Sequence, residues 1–478
     1  MEMNQINEYL WEIPPSEKKG MRVPARIYTS PSLIQGLDEG VFDQITNVAS
    51  LPGIIKYALC MPDGHWGYGF PIGGVAAFSV QEGIISPGGI GFDINCGMRL
   101  IRTNLTLEAV RPHIRRLVED LFKAVPSGVG GKGFARLTRA DMEDVMVEGA
   151  QWCVRKGYGR LQDLERIEAE GRIAWADPSA VSDRAVERGI GQLGTLGSGN
   201  HYLEIQLASE VFDTALAAEF GIARDQVLVM VHCGSRGFGH QIGTDYLVAF
   251  DQAKKKYGIE IPDRQLASAP FMSPEGQRYF KAMAAGANMA FANRQVITHQ
   301  IRSVFSKVFG RSEEELGMEI IYDVAHNIAK REIHEIDGKR REVLVHRKGA
   351  TRAFGPGAEE IPKKYEKTGQ PVIIGGSMET GSYLLVGTAQ AHKETFGSTL
   401  HGAGRRMSRR AAKKKIRGRD LLAKMASHGI IVRTASLSGL AEEAGEAYKN
   451  ISEVVDAVDG AGISKKVVAL RPIGNIKG

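Results

Sequence analysis

One unit recurs along this chain and constrains it more than any other feature: a short apolar strand running straight into a glycine-rich loop. Residues 73–80 lead into Ser86-Pro87-Gly88-Gly89-Ile90-Gly91, and the β-branched run 226–231 into His232-Cys233-Gly234-Ser235-Arg236-Gly237. Residues 319–324 end in Ala325-His326-Asn327, and residues 371–374 in Gly375-Gly376-Ser377. Each run has strand length and strand composition. Glycine fills 57 of the 478 positions, well above the usual level of about 7%. The glycines cluster in loops and follow no fixed period, so they define backbone turns rather than a low-complexity segment.

Helical spacing of apolar residues predicts helices over 105–124 and 277–309. Ser273-Pro274-Glu275 supplies a start for the second, with serine as cap and proline at the first position. Residues 255–310 read as a helical subregion on a mixed core. Strict strand–helix alternation is absent, which argues against a doubly wound parallel sheet. The expected class is α+β, with a mixed or antiparallel sheet core, surrounding helices and a helical insertion. No repeat and no Pro/Ser-rich linker divides the chain, so one catalytic domain over 1–478 is expected.

Several classes drop out. No stretch of about 18 apolar residues exists, so no transmembrane helix and no membrane partner are expected. The first residues lack the basic and apolar regions of a signal peptide. Cys60, Cys96, Cys153 and Cys233 are too widely spaced for a disulfide framework. These features point to a reducing, cytoplasmic location. The net charge of +6 is compatible with a polyanionic partner.

Five residues of metal-ligand type lie beside these glycines: Asp93 and Cys96 in Gly91-Phe92-Asp93-Ile94-Asn95-Cys96-Gly97, His201 in Gly199-Asn200-His201-Tyr202-Leu203-Glu204, and His232 and His326 at strand ends. One carboxylate, one thiol and three imidazoles suit a transition metal, with two ions able to share the thiolate. The same residues could instead be core histidines and a small buried cysteine. His401-Gly402-Ala403-Gly404-Arg405 sets a histidine before a turn expected to open a basic helix, where phosphate is favoured. A plain structural turn is the alternative. Residues 405–419 hold nine basic side chains in fifteen, a candidate RNA-facing helix or a solvated face. Gly375-Gly376-Ser377-Met378-Glu379-Thr380-Gly381-Ser382-Tyr383 suits a nucleotide or a long hairpin. Asp63, in Met61-Pro62-Asp63-Gly64-His65-Trp66, belongs to an active-site wall or simply caps backbone donors.

Taken together and in this order, these segments resemble the RtcB RNA ligase family over nearly the whole chain, ending with Gly474-Asn475-Ile476-Lys477-Gly478. The resemblance implies two manganese ions, one held by Asp93, Cys96 and His201, the other by Cys96, His232 and His326. It implies GTP as cofactor and His401 as the histidine that becomes guanylylated. Asn200 matches a residue at the triphosphate. Glu204, Ser382, Tyr448 and Lys477 match contacts to the guanine nucleotide, with Ser377 in the same loop and Gly402, Ala403 and Gly404 beside the nucleophile. Arg236 and Arg409 match positions near the RNA phosphate. Tyr202 departs from the phenylalanine common in the family. The implied reaction joins RNA 2′,3′-cyclic-phosphate or 3′-phosphate ends to 5′-hydroxyl ends through an RNA-ppG intermediate, in tRNA splicing and RNA repair. RNA is the implied partner, an archease-type activator a second one, and a monomer is expected. A metal-dependent phosphoesterase using the same ligands, or a non-catalytic RNA-binding protein using 405–419, are the rival readings. The phosphoesterase leaves His401 and Lys477 without a role, and the RNA-binding protein leaves the ligand cluster unexplained.

Overall fold

The computed structural model describes residues 2–128 and 130–478. A seven-stranded sheet runs in the order Asn4–Asn7, Leu10–Ile13, Ala25–Tyr28, Ile54–His65, Ile72–Ser79, Lys339–Lys348 and Asn327–Ile336. An eight-stranded sheet runs Glu319–Ala325, Gly97–Thr106, Gln226–Cys233, Tyr202–Val211, Ser464–Lys477, Ser382–Gly387 and Pro371–Ile374, with Ile431–Thr434 alongside Ser464–Lys477. Pairing within both is antiparallel except for Ala25–Tyr28 with Ile54–His65 and Ile431–Thr434 with Ser464–Lys477. Ala350–Arg352 and Ser398–Leu400 form a separate two-stranded ladder. The α+β class with mixed sheets is therefore the one observed.

Burial explains the strand sequences. Gln226–Cys233 is apolar almost throughout and buried on both faces, as a central strand must be. The outermost strand, Asn327–Ile336, instead alternates buried and exposed residues over its second half, which leaves charge on an edge that would otherwise recruit another chain. Register in the eight-stranded sheet sets up the site. Gly97 lies opposite both Ala325 and Cys233, and Tyr202 lies opposite His232. Cys96, His201, His232 and His326 thus sit at one end of four neighbouring strands.

The expected helix at 277–309 runs from Pro274–Phe309, and Ser273 caps it by accepting from the Gly276 N–H at 3.1 Å. It does not stand apart from the sheets. Most of its residues are buried, and its polar side chains peg the surrounding loops. Arg294 donates to the carbonyls of Asn95 and Cys233, each at 2.8 Å, and forms a paired contact with Asp323, also at 2.8 Å. Those three residues flank Cys96, His232 and His326, so a single guanidinium ties together three ligand-bearing segments. Asn293 adds the Gly194 N–H (2.7 Å) and the Thr195 carbonyl (3.0 Å) ahead of His201.

Two expectations fail. The stretch 105–124 is not one helix: strand Gly97–Thr106 takes its first residues, and a break separates Leu107–Val110 from Ile114–Ala124. Cross-strand pairing, with Thr106 opposite Gln226, overrides the apolar spacing there. Residues 405–419 are not one helix either. The segment after His401 is extended, Arg409–Lys415 is a short helix capped by Ser408, and a new helix, Gly418–Ser427, follows. Among the described residues no helix is long and apolar enough to cross a membrane.

Candidate active site

The strand ends converge on one thiol. Cys96 Sγ lies 3.4 Å from His201 Nε2 and 3.2 Å from His232 Nε2. His201 Nε2 is 2.8 Å from Asp93 Oδ2, and His232 Nε2 is 3.3 Å from His326 Nε2. Two donor sets result, Asp93–Cys96–His201 and Cys96–His232–His326, each with its ligand atoms within 4.8 Å of one another and with Cys96 common to both.

The imidazoles are aimed by the backbone. His201 Nδ1 donates to the Leu196 carbonyl and His232 Nδ1 to the Asn200 carbonyl, both at 3.0 Å. That aims each Nε2 at the cluster. Burial lowers the His201 pKa, but Cys96, Cys233 and Asp93 outweigh it and hold it well above the usual range, so this ring would yield its Nε2 proton to a bound cation. Burial, reinforced by neighbouring charge from His201 and His401, holds the His232 and His326 pKa values well below the usual range. Neutral imidazole is the form that binds a cation. Burial also pushes the Cys96 thiol up to about 12, so only an added positive charge would make it a thiolate at neutral pH. Donor set, ring orientation and burial therefore fit a pair of transition-metal ions sharing a thiolate.

His401 follows the strand Ser398–Leu400, and its ring lies 4.9 Å from that of His326. Its Nδ1 is 2.6 Å from Asp63 Oδ2, and the same oxygen accepts from the His401 N–H at 3.0 Å and the Gly402 N–H at 3.3 Å. Asp63 is fully buried. Burial raises its pKa, but the His401 charge and hydrogen bonds, with Lys449, outweigh this and hold the carboxyl below its usual range. Lys449 donates to the carbonyls on either side of Asp63, Pro62 at 3.0 Å and Gly64 at 2.5 Å, while its own N–H donates to the Gly404 carbonyl at 2.9 Å. Gly404 has φ +72°, and a Cβ there would collide with the Asp63 carbonyl, so only glycine permits this approach.

Asp93, Cys96, His232, His326 and His401 share a cavity of about 580 Å³ with Asn200, Ser377, Gly402, Ala403, Gly404, Arg409, Tyr448 and Lys477. Other expected residues lie behind it. His201 presents only its Nε2 side to the cluster. Glu204 is buried beneath the cavity, bonded to Gln206 (2.6 Å) and Asn475 (2.5 Å), and burial lifts its pKa to about 7. Ser382 sits beside Gln206 at 3.1 Å. Arg236 backs His201, 3.2 Å from Nδ1. The Ser377 hydroxyl accepts from the N–H groups of Glu379 and Thr380, each at 3.2 Å, which is hairpin-loop geometry. Four of the nine basic residues of 405–419 are paired within the chain: Arg405 with Glu443 (3.2 Å), Arg409 and Lys413 with Glu442, and Lys415 with Glu446 (3.0 Å).

Sequence reasoning gave no role to Lys449 and Glu443. Glu443 joins Lys477 (3.4 Å), Tyr448 and Arg405 at the cavity wall. Neither residue lies in a glycine-rich motif, and only their position in the fold reveals them.

Fold and site together define a mixed α/β protein in which a paired metal-type donor cluster faces a carboxylate-held histidine. A family model described as tRNA-splicing ligase RtcB matches residues 44–478. Curated relatives carrying that same description come from Archaeoglobus fulgidus, 57% identical over 476 residues, and Thermococcus kodakarensis, 54% identical over 477, with 100% of this chain and 99% of each relative covered. The chain belongs to the RtcB family.

Proposed function

We propose that this protein is an RNA ligase of tRNA splicing and RNA repair, joining 2′,3′-cyclic-phosphate or 3′-phosphate ends to 5′-hydroxyl ends at the expense of GTP. The observation that carries the reading is the Asp63–His401 pair beside the shared-thiol cluster. Asp63 accepts the Nδ1 proton of His401, so Nε2 is the free nucleophile. His401 attacks the α-phosphate of GTP and pyrophosphate leaves. Water first opens a 2′,3′-cyclic end to the 3′-phosphate, its proton passing to solvent and the 2′-oxygen leaving as the hydroxyl; the guanylyl group then passes from His401 to the 3′-phosphate, giving RNA-ppG and freeing the imidazole. The RNA 5′-hydroxyl attacks that phosphate and GMP departs.

Asp93, Cys96 and His201 would hold one divalent ion, and Cys96, His232 and His326 a second; we propose manganese. Bound there, the pair supplies charge compensation for phosphate oxygens. Asn200 and the N–H groups of the 402–404 turn serve the phosphates. Glu204, Ser382, Tyr448 and Lys477 serve the guanine, with Ser377 in the neighbouring loop. Glu204 and Ser382 do not line the cavity, and their assignment rests on the family resemblance. Arg236 and Arg409 serve the RNA backbone. A single catalytic domain, a monomeric state, a cytoplasmic location and an archease-type activator complete the reading.

The test is incubation with α-labelled GTP and manganese, followed by denaturing electrophoresis. Label is expected on the wild-type chain and absent from His401→Ala, which also fails to seal a 3′-phosphate end. Label of equal strength on both chains removes His401 as nucleophile.

A further inference from the structure

Three aromatic rings run outward from the Asp93 end of the cluster and have no part in the chemistry above. Phe92 immediately precedes Asp93 and is half-buried. Tyr68 meets its ring in an edge contact, with centroids 5.4 Å apart. On another side His240 stacks on it, centroids 5.0 Å apart and planes inclined by 24°. His240 stands in the first turns of Arg236–Lys256, the helix that follows the His232 strand, and is exposed to solvent. The row thus starts on the segment after Asp63, passes through the loop bearing a cluster ligand, and ends on a ring open to water.

One flank is cationic: exposed Arg188 holds its guanidinium against Gln241, next to His240, at 2.8 Å. An aromatic face beside an arginine suits an unstacked base with a phosphate alongside.

Direction follows from displacement chemistry. His401 lies at the His326 end of the cluster, whereas Asp93 and His201 form the other end. An attacking hydroxyl approaches in line with, and opposite to, the group it expels. With GMP departing on the His401 side, the 5′-hydroxyl strand enters on the Asp93 side, where the aromatic row begins.

We propose that Phe92 and His240, backed by Tyr68, form a stacking platform for a nucleobase near the 5′ end of the RNA strand that presents the 5′-hydroxyl. The proposal rests on the ligase reading. The platform is sequence-tolerant, because every base offers a π face. It holds the strand by its base while Arg188 meets a neighbouring phosphate.

The test uses the full-length protein and a labelled single-stranded RNA with a 5′-hydroxyl, either intact or abasic at its first two nucleotides, read by fluorescence anisotropy. The intact strand is expected to bind about tenfold more tightly than the abasic one. His240→Ala is expected to level the two, His240→Phe to restore the difference, and thermal midpoints to confirm that both variants fold. Abasic sites at the end of a 3′-phosphate strand are expected to be indifferent to residue 240. Equal binding of both 5′-hydroxyl strands by the wild type, or a difference that survives in His240→Ala, overturns the platform. Failure of the ligase reading shows up separately, as wild-type protein that takes no label from GTP.

Discussion

A carboxylate sealed from water and bonded to one imidazole fixes that ring's tautomer as well as its position. Asp63 Oδ2 gathers three donors from His401 and Gly402; in Asp63→Asn the amide oxygen can still accept them, but the negative charge that holds the His401 ring and favours its proton on Nδ1 is lost. Asp63→Asn is therefore expected to slow guanylylation by about a hundredfold or more while the cation content stays at the wild-type level. Rapid-quench labelling and elemental analysis check the two halves of that expectation, and an unchanged rate would reduce Asp63 to a loop anchor. At this scale the sequence was readable where residue type and glycine neighbours coincided. Residue type alone left Asp93, Cys96, His201, His232, His326 and His401 open to a structural reading, and only the family resemblance joined them into a set. Asp63 was ambiguous, since a Pro-Asp-Gly segment reads equally well as a turn, and in the fold it does both jobs, accepting two backbone N–H groups and one imidazole. Lys449 was invisible because its partners are main-chain carbonyls, which carry no sequence signal.

Elements that bury both faces were the most legible. Pro371–Ile374 has the bounds its composition predicts, and Gln226–Cys233 runs two residues past the expected end. The capped start of Pro274–Phe309 was also plain. What its pattern hid is that the helix works as a scaffold for the site, through Asn293 and Arg294. Replacing Arg294 by methionine leaves Asp323 facing only Arg99, at 2.7 Å, and frees the carbonyls of Asn95 and Cys233. A loss of about 3–5 kcal/mol is expected, as for other broken buried pairs. Metal uptake should fall with it, because the segments around Cys96 and His232 lose their common tie. Denaturant unfolding and elemental analysis measure both, and full metal occupancy in a destabilised variant would confine Arg294 to stability. The basic stretch after His401 misled for a definable reason. Like charges suggest one continuous solvated helix, but Glu442, Glu443 and Glu446 arrive from a later segment and pair with four of the nine.

Over the whole molecule, buried carboxyl groups set a pH window. Burial raises the pKa of Asp323 and of Glu168, but Arg294 and Arg99 outweigh it at the first. Lys330 and Arg352 do so at the second, taking Glu168 down to about 2. Stability from these pairs is fully present above the unfolded carboxyl range and is lost as pH falls below about 4. Glu204 has the opposite sign. Its folded pKa of about 7 exceeds the unfolded value of 4.5, so the folded state holds a proton that the unfolded chain gives up as pH climbs between these values. The cost approaches about 3 kcal/mol by pH 8. Thermal midpoints are expected to decline on both sides of roughly pH 5. Glu204→Gln should remove the alkaline decline alone, and an identical profile for the variant would show that Glu204 is not the group responsible.

His401, its carboxylate partner and the metal-type ligands come from three different sheets: His401 from the end of the small ladder, Asp63 from the seven-stranded sheet, and the ligands from the eight-stranded one. The site is thus a coincidence detector for completed folding. A nascent chain, a nicked chain or a misassembled one holds a ligand cluster or a histidine, but not the two in register. Such a chain lacks the assembled site, so the proposed ligation would wait until the last sheet has closed.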